Sequence, residues 1–422
     1  MNSVQHFSDS EYIDSLPSDV LNAIEKSIPI KRNAARIDFV GIVWADERPC
    51  IFWPKGMSDI CKQKTPPKLL IQVLRKADKS KNLHHKLKGI GGHIEVPVEL
   101  EILENFLEHG LFETTETRFT RSQSGKIDWR RTIKNQTPSF GAGKTPIYLE
   151  PISIRPSSAN HIIRQLHGYV VGVCDKRFSW LLTLSGKPVA LAHRNERAPV
   201  SRNQAIALIR KKLLVEFNDV RKRQLTLLLR YFKKHPSDRP ASTGLIGTDF
   251  FHVIWEDMCG IYLGSQNTSV GYPAVPSYLY NSRRSIPEPS RQGRPDILLE
   301  DQRCLAVVDA KYYDMRATKP SWSDLVKQFF YAKAFTHCRK YQSIYNVFAV
   351  PASGGEVPTS AFVIDPELNM ALDDEFPPIR IIYIDVVEIM SDYCASRINP
   401  EMRGLVLGRM EAASDLLAVA DR

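Results

Sequence analysis

Two carboxylates and an amine stand close together in the sequence Arg294-Pro295-Asp296-Ile297-Leu298-Leu299-Glu300-Asp301-Gln302-Arg303-Cys304-Leu305-Ala306-Val307-Val308-Asp309-Ala310-Lys311. An apolar run, a polar turn and a second run rich in β-branched residues predict a β-hairpin. A four-residue connection at Asp301 to Cys304 pairs Glu300 with Leu305, and therefore Asp296 with Asp309. Two-residue alternation puts Lys311 on the strand face of Asp309, together with Leu305 and Val307, while Ala306, Val308 and Ala310 face the other way. Both faces are apolar, as in a strand inside a sheet. Two acids and a lysine are costly at the end of such a strand unless a cation and water complete them. The chemistry predicted is that of a hard metal ion held by oxygen ligands.

Short motifs of this kind also arise by accident. Three features weigh against accident here. Pro295-Asp296 is the only Pro-Asp in the chain, and Lys311 is the only lysine with an acid two positions before it. The pair also falls on a hairpin rather than across a helix.

The form Pro295-Asp296…Asp309-Ala310-Lys311 resembles the PD-(D/E)XK nuclease superfamily. The resemblance implies that Asp296 and Asp309 bind Mg²⁺, with Mn²⁺ as a substitute, and that Lys311 lies beside the attacking water. A hard divalent cation is suited by carboxylate oxygens, the backbone carbonyl of Ala310 and waters. Such an ion lowers the pKa of bound water and offsets charge building on a phosphate, and Lys311 can orient or deprotonate that water. In the same superfamily a glutamate of an earlier helix joins the metal site; Glu256, after Trp255, stands where it is expected, with a surface carboxylate as the alternative. A Gln-x-x-x-Tyr pair after the lysine strand contacts DNA and braces the site in some branches. Here Gln328-Phe329-Phe330-Tyr331 is one residue shorter, a spacing that still keeps Gln328 and Tyr331 on one helix face.

The positioning elements follow from the rest of the chain. Its 422 residues are enough for two or three domains with ordinary globular composition. Formal net charge is +10, which favours polyanionic partners. Seven scattered cysteines without Cys-x-x-Cys spacing argue against structural zinc and for reduced thiols in the cytoplasm. A polar, acidic start and the lack of a long apolar run predict neither a secretory signal nor a membrane helix. The predicted fold class is mixed α/β: a nuclease domain over 241–422 with a central mixed sheet flanked by helices, an α+β recognition or partner-docking domain over 1–155, and a helical connecting region over 156–240. Helices are expected at about 249–263 and 322–336, strands at 343–350 and 380–385, and a closing helix at 400–420. The stretch 236–247, with two prolines and two glycines, reads as a linker.

Other candidates carry less. Gly143-Lys144-Thr145 has Pro138 where a phosphate-binding loop needs its first glycine, and Pro146 blocks the following helix, so it is not a Walker A site. His84, His85, His161 and His167 read as solvated or packed side chains. The basic clusters between Arg210 and Lys234 suit either a nucleic-acid backbone or a solvated helix face. Arg283, Arg284, Arg291 and Arg294 sit in a loop whose composition suits DNA.

A finer likeness joins Trp255-Glu256, Arg294-Pro295-Asp296, Asp309-Ala310-Lys311 and the Lys327-Gln328 helix to Gly125-Lys126-Ile127-Asp128-Trp129. Together they resemble LlaJI-type restriction endonucleases and the related McrC subunits over about residues 30 to 400. That likeness implies a Mg²⁺-dependent endonuclease subunit of a restriction system acting on double-stranded DNA with a separate McrB-like AAA+ GTPase; homo-oligomers are left open. The alternatives are a resolvase or transposon-end nuclease on the same module, and a catalytically silent DNA-binding assembly subunit.

Overall fold

The computed structural model describes residues 4–25, 35–45, 48–80, 83, 86–87, 94, 97–113, 117–141, 143–156, 158–182, 197–234, 243–265, 279–280, 283–284, 294–336, 340–352 and 354–409. His84, His85, Arg291 and the end of the expected closing helix lie outside these residues. The architecture is mixed α/β, with several separate sheets and helices between them. No helix among the described residues is long and apolar enough to cross a membrane.

The chain divides into two compact units, one of Met1–Val96 with Ser242–Arg422 and one of Pro97–Ala241. In sequence the second unit lies between the two segments of the first. Strand pairing explains the interleaving. Thr243–Thr248, read above as linker, forms a strand antiparallel to Val40–Ala45. Gly247 is what permits the pairing. Gly247 lies opposite Gly41, and a Cβ on Gly247 would come within 2.4 Å of the Val40 carbonyl and 2.5 Å of the Phe39 ring. The sheet continues through Arg48–Trp53 to Gln5–Ser8, which pairs parallel to it. Its core holds Ile24, Phe39, Val43, Phe52 and Leu245.

The second sheet of this unit is five-stranded and carries the hairpin. Its order is Ile297–Asp301, Cys304–Ala310, Ser343–Pro351, Ile379–Ile384 and Ser360–Ala361. The outer pairs are antiparallel and the two inner pairs parallel. Trp322–Thr336 is the crossover helix between the parallel strands and packs Ala334 and Phe335 on Leu305 and Val307. Burying Phe335, Leu305 and Val307 contributes on the order of 2 kcal/mol each. Phe251–Tyr262 is a second helix beside the hairpin strand, and Trp255 is fully buried.

The other unit is mainly helical, built from Val98–His109, Ser158–Leu182, Arg202–Leu213 and Asp219–Lys234. A three-stranded sheet of Thr117–Arg121, Ile152–Pro156 and Lys126–Ile127 belongs to it. Several basic residues of the last two helices are engaged internally. Lys212 is buried 3.5 Å from Glu216, Arg221 pairs with the same acid, and Arg230 pairs with Glu101.

Candidate functional site

The hairpin has the predicted register. Ile297 faces Val308 and Glu300 faces Leu305, so the ladder continued by one residue sets Asp296 opposite Asp309. The connection is shorter than expected: Asp301 and Cys304 still pair, leaving Gln302 and Arg303 as the turn, with Gln302 at a φ of 50°. The apolar runs fix the register, since a slip of one residue would turn every core side chain to the wrong face.

At the open end of this hairpin the acids meet. Asp296 accepts a hydrogen bond from the Ala310 N–H at 3.0 Å and lies within hydrogen-bonding reach of the Asp309 carboxyl. Part of Asp296 remains exposed, but its carboxyl group is turned inward against Ala310 and Asp309. Burial, then the Asp309 carboxyl, then Glu256 push it well above the usual carboxylate range. Two like charges this close do not both ionise without a counter-charge.

Lys311 supplies part of that counter-charge. Its Nζ stands 2.8 Å from Asp309 Oδ2 and 2.9 Å from Asp324 Oδ1. Burial alone would lower the amine, but the Asp309 carboxylate, then Asp324, outweigh it and hold the amine well above its ordinary value. Its backbone N–H continues the sheet by donating to the Ala349 carbonyl at 2.9 Å.

The helix Phe251–Tyr262 is tied to the same carbonyl through the Trp255 indole N–H at 3.3 Å. The next residue, Glu256, thereby comes within the electrostatic reach of Asp296, and its Oε2 lies 3.3 Å from Lys86 Nζ. Asp257 points elsewhere and accepts from the Tyr393 hydroxyl at 2.8 Å. Gln328, expected to touch DNA and brace the site, is fully buried. Its amide donates to the Val307 and Val347 carbonyls at 2.9 and 3.2 Å, which makes it a brace between parallel strands with no surface for DNA. Tyr331, one turn on, is half-buried; burial and then the field of Asp309 raise its hydroxyl.

Sequence reading missed Asp324 and Lys86. Asp324 had a local signal, because Ser321-x-x-Asp324 ahead of an apolar helix is a capping-box pattern. Among the described residues no three His, Cys, Asp or Glu side chains are grouped to hold an ion by themselves. The donor set is two carboxylates, with Glu256 as a nearby charge engaged by Lys86.

The other sequence candidates fall away from chemistry. Gly143-Lys144-Thr145 lies at the end of a β-hairpin of Ser139–Phe140 and Pro146–Ile147, and no helix starts there. Asp128 caps the short helix Trp129–Asn135 by accepting the Arg131 N–H at 3.0 Å, with Trp129 about half exposed beside Tyr148. His167 is buried and accepts the Phe112 N–H at 2.9 Å. Burial lowers its pKa to about 4.

The family model described as LlaJI restriction endonuclease matches residues 39–386. The chain belongs to this family. The LlaJI family match takes in the whole hairpin, Glu256, Asp324 and Gln328, and reaches back to the strand Val40–Ala45. A curated relative, the type II restriction enzyme BsuMI component YdjA of Bacillus subtilis (strain 168), is 21% identical over 302 residues. That alignment covers 68% of this chain and 64% of YdjA, so less than two thirds of the relative's length is spanned. No solved structure matches the chain.

Proposed function

We propose that this LlaJI-family protein is the Mg²⁺-dependent endonuclease subunit of a restriction system and hydrolyses phosphodiester bonds of double-stranded DNA. The observation that carries the proposal is the meeting of Asp296, Asp309 and Lys311 at one end of a buried hairpin. The sheet is read as that of the PD-(D/E)XK superfamily. Its order of an antiparallel hairpin, a crossover helix and parallel strands supports this reading. A further subunit is supported by the relative's description as one component of a restriction enzyme, and the resemblance to McrC makes a McrB-like AAA+ GTPase the candidate.

A hard cation suits the donor set, because Asp296 and Asp309 present oxygen ligands whose mutual repulsion a divalent charge would offset. Asp296, Asp309 and the Ala310 carbonyl would hold it, and Glu256 would add negative charge nearby. When bound, the ion supplies a more acidic water and neutralises charge on the phosphate. The chain's own groups do the rest. Lys311 is a protonated donor between two carboxylates, so it orients the attacking water or the phosphate oxygens rather than removing a proton. The water oxygen bonds to phosphorus and gives up a proton to solvent, one bridging P–O bond breaks, and the departing oxygen gains a proton from solvent. Gln328 keeps the two strands in register beneath the site.

The test is cleavage of duplex DNA in Mg²⁺ by Asp309→Ala and Lys311→Ala. Both are expected to be inactive while folding and DNA binding persist. Cutting at the parental rate by either variant would remove the assigned roles. Calorimetric titration with Mn²⁺ separates an enzyme from a silent scaffold, which has no reason to bind the ion through Asp296.

A further inference from the structure

Lys311 is held by two carboxylates that belong to different parts of the chain. Asp309 lies on its own strand. Asp324 comes from the first turn of the crossover helix Trp322–Thr336, and its Oδ1 is 2.9 Å from Lys311 Nζ. The other oxygen, Oδ2, accepts the Ser321 hydroxyl at 2.6 Å, the Ser321 N–H at 3.0 Å and the Tyr313 hydroxyl at 3.1 Å. The Asp324 N–H in turn reaches the Ser321 hydroxyl at 3.3 Å, which completes the reciprocal cap of the helix. One oxygen therefore fixes the carboxylate to the helix start and to the chain just after Lys311. The second oxygen is left to face the amine.

The division of labour matters if Asp309 also serves a cation, as in the function proposed above, on which this inference rests. A carboxylate drawn to a divalent ion holds a neighbouring ammonium less strongly, because its charge is then shared. The long lysine stem has many rotamers and does not stay in place without a partner. Asp324 is set apart from Asp296 and Glu256 by its bonding, since its partners are Lys311, Tyr313 and Ser321. We propose that Asp324 is a positioning residue that keeps the Lys311 amine aimed at the reacting centre while Asp309 is engaged by the ion.

The experiment is single-turnover cleavage of duplex DNA by full-length Asp324→Asn and Asp324→Glu, with Lys311→Ala alongside and thermal unfolding of each. Asn keeps an acceptor for the helix cap and removes the charge facing the amine. Cleavage by Asp324→Asn is expected to slow about 10- to 100-fold, with DNA binding within about twofold of the parent, as for a misplaced group that does not bind substrate. Asp324→Glu is expected to recover part of the rate. If Lys311→Ala is inactive and Asp324→Asn cleaves within about twofold of the parent, the positioning role is overturned and the nuclease reading survives. If Lys311→Ala cleaves normally, the nuclease reading fails first. A loss in Asp324→Asn that tracks lost DNA binding or lost thermal stability also overturns the proposal; if Asn prevents folding, Asp324→Glu is judged by the same criteria.

Discussion

Asp9 and Asp296 are both carboxylates just beyond a strand, and their local bonding is nearly the same. Asp9 accepts the Phe39 N–H at 2.9 Å, as Asp296 accepts that of Ala310 at 3.0 Å. Burial is the first cause of a raised pKa in both. What differs is the company. Asp9 is bonded to the Tyr312 hydroxyl, which itself accepts the Lys55 N–H at 2.9 Å, and the Lys55 charge, larger in effect than that of Asp38, offsets part of its burial. Asp296 faces two more acids, with a lysine held by one of them. The first arrangement is a closed polar joint in a core; the second is short of positive charge and open to an ion. A strand-end acid thus gains chemistry from what converges on it rather than from its own environment.

The largest expected effect breaks the pair apart directly. Asp296→Asn should lose about 1,000-fold or more in DNA cleavage, the scale expected when a cation is lost from phosphoryl transfer. Asp9→Asn should stay within about threefold of the parent. Equal losses in the two would mean that both act through stability alone. Thermal unfolding in a chelator at pH 8 sharpens the contrast, since Asp296→Asn removes the like-charge contact with Asp309 and should raise the midpoint.

The pH dependence comes next in size. Asp9 is raised from 3.8 to about 6, so the folded state binds its proton more tightly than the unfolded chain does. The stabilisation from this proton is complete below about pH 4 and is lost as pH rises through about 6, about 3 kcal/mol in all. Asp9→Asn lacks this slope. Its stability relative to the parent, measured by urea unfolding, should improve by about 2 kcal/mol between pH 4.5 and pH 7.5. A constant difference between the two pH values would mean that Asp9 is ionised in the folded protein. The smallest effect concerns bracing. Gln328→Leu removes an amide donated to two strand carbonyls and should cost about 1–2 kcal/mol, with cleavage falling less than tenfold. A complete loss of cleavage in a folded Gln328→Leu protein would place Gln328 among the reacting groups.

The hairpin was legible because its information is local: two apolar runs, a short polar turn and a period of two fix which residues face each other. Glu256 was legible only through its likeness to a family pattern, and the structure brings it near Asp296 through Trp255 and a carbonyl of a third strand. The place of Gln328 was half legible. Helix periodicity put it on one helix face with Tyr331, while its full burial depends on how closely the crossover helix packs. The interleaved unit was not legible, because Thr243–Thr248 looks like a linker until Gly41 and Phe39 are known to lie against Gly247. Pairing between distant segments leaves no periodic trace in either one.

That late-arriving strand has a consequence for biosynthesis. As the chain leaves the ribosome, Val40–Ala45 presents one paired side to Arg48–Trp53 and one bare row of backbone groups, and the missing neighbour is made only after the helical unit between them. The helical insert can finish folding on its own schedule, while the opening segment waits with an unsatisfied edge that invites a stray chain. A peptide spanning 243–248 supplied in trans is expected to lessen aggregation of the nascent protein by completing the same ladder of hydrogen bonds.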